Sequence, residues 1–71
     1  MARRRFAKLK ALMFERDVTQ EDLTDVVGRG RSYVSKRLNG REPWTLDDVQ
    51  AVGAFLEIPR EQWLDYFIDA A

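Results

Sequence analysis

The sequence predicts an all-α domain, a compact set of five helices with no sheet. Apolar residues recur at three- and four-residue spacings in successive stretches and nowhere alternate as a half-buried strand requires. Residues that start or stop helices separate these stretches: Thr19, Gly28 and Gly30, Asn39-Gly40, Thr45 and Pro59. The composition, 45% hydrophobic and 34% charged over 71 residues, suits one small folded core and not a disordered chain. A single domain spanning 1–71 follows, with a short basic segment, 1–5, ahead of its first helix.

The first helix is expected over Phe6 to Arg16, with Phe6, Leu9, Leu12 and Met13 as its apolar stripe. Asp17 supplies the bend after it, since aspartate tolerates the left-handed region better than most residues. Thr19 caps a second helix from Gln20 to Val27, and Asp22 stands at the reciprocal capping position. Gly28 ends that helix in a left-handed conformation. A third helix starts at Arg31 or Ser32 and ends at Asn39-Gly40, with Val34 and Leu38 turned toward Leu23 and Val27. Its outward face is then Arg31, Ser32, Tyr33, Ser35 and Lys36.

Arg41 to Trp44 reads as a loop, because Pro43 pushes Glu42 into extended geometry. Thr45 caps the fourth helix, Leu46 to Leu56, and Asp48 closes its capping box. Leu46, Val49, Val52, Gly53 and Leu56 are expected on its core face, with Gly53 admitting the ring of Trp44 or Trp63. Asp47 and Asp48 are not a metal or catalytic pair. Adjacent helical residues diverge by about 100°, and acids in a first turn complement the helix dipole. Pro59 opens the last helix, Arg60 to about Asp69, whose stripe is Trp63, Leu64, Phe67 and Ile68.

The formal net charge is zero, but its distribution is uneven. Every charge from Met1 to Lys10 is positive, and so is every charge from Gly28 to Arg41, whereas acids dominate the second helix and the last third. Folding the basic stretches onto one side yields a cationic face that orients the domain toward a polyanion. The chain has no cysteine or histidine, which excludes disulfides and zinc fingers and is compatible with a reducing cytoplasm. No apolar run approaches the roughly 20 residues that span a bilayer. Ser32 and Lys36 are one turn apart, but nothing would desolvate the lysine on an exposed helix, so no enzyme is expected, and no cofactor, metal or small-molecule substrate.

Residues 19–39, two short helices joined by a glycine-bounded turn, have the form of a helix-turn-helix. Thr19-Gln20-Glu21, Gly28, Gly30-Arg31-Ser32, Val34 and Asn39-Gly40 together resemble the lambda-repressor-like DNA-binding family of Cro and xenobiotic-response-element type. The resemblance implies a small transcriptional regulator, a repressor in a bacterial or phage-host nucleoid, that binds double-stranded DNA with Arg31–Leu38 in the major groove. It implies base contacts from Arg31, Ser32, Tyr33, Ser35 and Lys36, and phosphate contacts from Gln20, Arg29, Asn39, Arg41 and Thr45. It further implies an arm of Arg3, Arg4 and Arg5 around the duplex and a homodimer seam at Trp63, Leu64, Phe67 and Ile68. The chain departs from the family pattern at Met13, at Thr24 where the helices cross, and at Arg37. Arg37 occupies an inner position and is expected to lay its stem on apolar surface while its head reaches water or a phosphate. The alternative is a protein-interaction module, such as a small antitoxin or adaptor, that docks a basic partner on the acidic last third.

Overall fold

In the computed structural model, which describes residues 6–68, all regular structure is helical. The order is α1 (Ala7–Glu15), α2 (Gln20–Val27), α3 (Arg31–Leu38), α4 (Leu46–Phe55), and a 3₁₀ turn (Arg60–Gln62) that runs into α5 (Trp63–Phe67). The expected arm Arg3, Arg4 and Arg5 lies outside the described residues, as does Asp69.

Both expected capping boxes form. The hydroxyl of Thr19 accepts from the Asp22 N–H while the Asp22 carboxylate accepts from the Thr19 N–H, and Thr45 and Asp48 repeat the exchange on α4. Each box satisfies two backbone donors that a helix start leaves without internal partners. Gly28 and Gly40 take left-handed φ values of 70° and 75°, which close α2 and α3. Asp17 is left-handed as expected, at φ 61°, and so is Glu57, at φ 59°. At both, the following N–H returns to the helix: Val18 to the Met13 carbonyl at 2.8 Å, Ile58 to that of Gly53 at 2.8 Å.

Leu9, Leu23, Val34, Val52 and Leu56 are fully buried, with Phe6, Met13, Leu38, Ile58 and Phe67 around them. Val49, expected inside, is half-buried at the margin of this core. α2 packs against both α3 and α4, and α5 against α1 and α4. Gly53 meets the indole of Trp63 so closely that a Cβ there would lie 2.6 Å from its Nε1. Glycine is required at this point for space, since its backbone leaves room for the ring. Trp44 is held edge-on between Phe6 and Phe67, with ring centroids at 6.3 Å and 5.3 Å.

Two expectations about apolar faces need correction. Leu46 is 68% exposed and does not line the core. It is the first residue of α4, and helical side chains tilt toward the N-terminus, so this one projects past the end of the helix. The C-terminal stripe also divides. Phe67 is buried and Trp63 half-buried, whereas Leu64 is 73% exposed and Ile68 59% exposed. The 3₁₀ turn replaces the first α-turn and leaves a five-residue helix, whose Trp63, Tyr66 and Phe67 side faces inward. Ile68 has already left the helix in an extended conformation, so it continues no stripe.

Candidate nucleic-acid interface

α3 presents the candidate site, and its placement begins at the turn Gly28–Gly30. Gly28 is left-handed and Gly30 extended, so three residues reverse the chain and set α3 against α2. Val34 and Leu38 lie in the core, which fixes the opposite side of the helix toward solvent. Arg31, Ser32 and Lys36 are exposed there, with exposed Arg29 and Arg41 beyond the two ends of the helix. All charges in this segment, Gly28 to Arg41, are cationic.

Arg31 is informative because of where it stands. As the first residue of α3 it lies at the positive end of the helix dipole, which disfavours a cation. Its ion pair with Glu21, at 4.0 Å, joins two largely exposed side chains and contributes little to stability. Gln20, Thr19 and Glu21 line a shallow concavity with Arg31, so the first turn of α2 and the first turn of α3 share one surface. At the other end, Asn39 donates to the Ser35 hydroxyl at 3.2 Å, which orients both polar groups along the exit of the helix. Lys36 and Arg37 in the last turn complement the negative end of the dipole.

Three residues of α3 do not lie as expected, and the first, Ser35, is half-buried where the outward face was expected. Tyr33, placed on the outward face from the sequence, is half-buried, and its hydroxyl donates to Asp48 Oδ2 at 2.7 Å. Arg37, whose head was expected to reach water or a phosphate, is only 8% exposed. Its Nε lies 3.4 Å from the same Asp48 oxygen, its Nη1 donates to the Tyr33 carbonyl at 3.2 Å, and its guanidinium carbon sits 3.4 Å from the Tyr33 ring centroid. For Tyr33 and Arg37 the reason is shared: burial of an arginine requires a counter-charge, and Asp48 supplies one from α4. The exposed Arg29 also stacks over Tyr33, at 5.2 Å.

Asp48 is therefore more than a cap. Its Oδ2 accepts from Tyr33 and from the Thr45 N–H and faces Arg37, while its own N–H donates to the Thr45 hydroxyl. Thr45, the expected phosphate ligand, is committed to this box, and the start of α4 already has a carboxylate against it. The sequence did carry a signal for the cluster. A charged residue three positions after Val34, on the buried side of a helix, has to find an acid, and Asp48 is the acid that the fold brings within reach.

Among the described residues, no group of three or more histidine, cysteine or acidic side chains could hold a metal ion, and no helix is long and apolar enough to cross a membrane. The chain matches no protein-family model, and no curated protein matches it significantly.

Proposed function

We propose that the domain binds double-stranded DNA, with α3 entering the major groove as the recognition helix of a small helix-turn-helix regulator. The observation that carries this reading is Arg31, an exposed cation at the wrong end of a helix for stability, flanked by Ser32 and Lys36 and bracketed by Arg29 and Arg41. An arginine at the leading end of such a helix can pair bidentately with guanine O6 and N7. Ser32, Ser35 and Lys36 complete the surface that meets base edges. Gln20, Arg29, Asn39 and Arg41 lie at or beyond its ends in the chain and serve as phosphate contacts. Tyr33 is left out of the base-contacting set because its hydroxyl is engaged by Asp48. A homodimer on a two-fold site would use the exposed Leu64 and Ile68, the part of the C-terminal stripe not already in the core.

The test is a titration of labelled duplex at two salt concentrations, with the preferred sequence first selected from random duplex. Arg31→Ala should weaken the selected duplex roughly ten- to a hundredfold and leave random duplex nearly unchanged. Arg41→Ala should weaken both alike and lower the salt dependence by about one phosphate per subunit. Salt-insensitive or absent duplex binding would overturn the reading and move the protein-interaction module, with its acidic docking face, ahead of it.

A further inference from the structure

The cluster of Arg37, Tyr33 and Asp48 has no place in the contacts just described, since the two charged side chains are nearly buried and face each other. We propose that Arg37 is a positioning residue: through Asp48 it locks the rotation of α3 about its own axis, and in this way sets base selectivity without touching DNA. The inference rests on the DNA-binding reading of α3.

The argument begins with what holds α3. Its close helix neighbour is α2, and its anchors in the core are two aliphatic side chains, Val34 and Leu38. Apolar burial is non-directional and resists separation far better than it resists rolling. An eight-residue helix with two aliphatic anchors can therefore turn through a modest angle while keeping most of its buried area. Rolling by even a fraction of the 100° between neighbouring residues would carry Arg31 off one base edge and toward another.

The cluster opposes that motion because the Tyr33–Asp48 hydrogen bond has direction, and the Arg37–Asp48 ion pair, in which Nε makes no hydrogen bond, adds a second point of attraction. One carboxylate oxygen on α4 receives the Tyr33 hydroxyl and faces Arg37 Nε, and both belong to α3, four residues and so about one turn apart. Two attachments one turn apart to a single fixed point define the azimuth of the helix. Asp48 is itself fixed, by its reciprocal bonds with Thr45 at the start of α4. The guanidinium is further set by its bond to the Tyr33 carbonyl and by the tyrosine ring against it. Burying two charges is a poor route to stability, because desolvation consumes most of the attraction, and fixing one conformation among several similar ones is the better-attested use of such a pair.

The experiment separates positioning from both bare stability and bare affinity. In Arg37→Met with Asp48→Asn both charges go together, the volumes stay close, and the asparagine oxygen can still accept from Thr45 and Tyr33. The exposed cations are untouched. This double variant should bind random duplex within about twofold of the wild type, with the same salt dependence, yet bind the selected duplex at least tenfold more weakly. Retained discrimination would overturn the proposal, and so would an equal loss on both duplexes. Arg37→Lys is the second variant, in case the first does not fold. It keeps a buried cation opposite Asp48 but not the planar geometry, and it should lose several-fold in discrimination. Discrimination as in the wild type would again overturn the proposal. If the wild-type protein shows no salt-dependent duplex binding, the DNA-binding reading itself fails and this inference falls with it, an outcome distinct from all of these.

Discussion

Removing the Asp48 carboxylate should be among the most damaging single changes available to this domain. In Asp48→Ala, three groups lose their partner at once: the Tyr33 hydroxyl at 2.7 Å, the Thr45 N–H at 3.4 Å and the Arg37 guanidinium, whose Nε lies at 3.4 Å. The cap contributes toward the low end of about 0.5–2 kcal/mol, because its hydrogen bond is long. The tyrosine bond to a charged acceptor is worth about 1.5–3 kcal/mol. The largest effect is Arg37, left buried without a counter-charge, and breaking such a pair from one side costs about 3–5 kcal/mol. These contributions overlap, so about 3–5 kcal/mol is the expected total and not their sum. A chain of this length has about 4–10 kcal/mol in all. Urea denaturation followed by far-ultraviolet circular dichroism measures the difference. Arg37→Met should cost less, about 1–3 kcal/mol, because Asp48 keeps its bonds to Tyr33 and Thr45. The combined variant Arg37→Met with Asp48→Asn should return to within about 1 kcal/mol of the wild type, since paired removal of buried charges is often neutral. A loss below about 1 kcal/mol for Asp48→Ala, or strictly additive losses in the pair, would refute the account of a coupled buried cluster.

Leu23→Ala, at a fully buried position, should cost about 2–5 kcal/mol in the same melts. Gly53→Ala should destabilise by about 1–3 kcal/mol despite alanine's better helix propensity, because the new methyl must displace the Trp63 indole; a shift in tryptophan fluorescence should accompany the loss. Glu57→Gly should raise stability by about 0.5–1 kcal/mol, since it relieves a left-handed non-glycine residue and forfeits only an exposed ion pair with Arg16. Leu64→Glu should convert any dimer to monomer in sedimentation and weaken duplex binding with the helical signal intact; unchanged mass would show that this patch holds no second copy.

The boundaries of α2, α3 and α4 were legible because local chemistry sets them. Thr19, Thr45, Gly28 and Gly40 act on neighbours a few residues away, so their effects can be read along the chain. Even the left-handed bend at Asp17 and the vacancy at Gly53 follow from one residue and its immediate surroundings. What the sequence hid is non-local. Arg37 and Asp48 are separated by a loop and belong to different helices, so periodicity could mark Arg37 as inward but could not name its partner. Tyr33 was misplaced for the same reason: its position on α3 looks outward until α4 is brought beside it. Leu46, Leu64 and Ile68 failed for another reason. A stripe drawn on an ideal helix ignores how short elements end, and these residues sit in the first turn of α4, in a five-residue α5, or just past it. The run of like charges from Gly28 to Arg41 was legible directly. The exposure of Arg31 and Lys36 was legible too, whereas the burial of Arg37 was not.

The edge-on packing of Trp44 between Phe6 and Phe67 has a topological consequence. Phe6 immediately precedes α1 and Phe67 closes α5, so one indole from the mid-chain loop fastens the two extremities of the helical path to each other. The path is nearly a ring, and bridging its ends covalently should disturb little. A circular permutant that joins the region of Phe67 to that of Phe6 through a few glycines and serines, with new ends opened at the exposed Arg41-Glu42, should therefore fold. Conversely, loss of the Trp44 ring should loosen both extremities together. Amide hydrogen exchange in Trp44→Ala would then accelerate in the first turn of α1 and in α5 as one cooperative unit, while α2 and α3 stay protected.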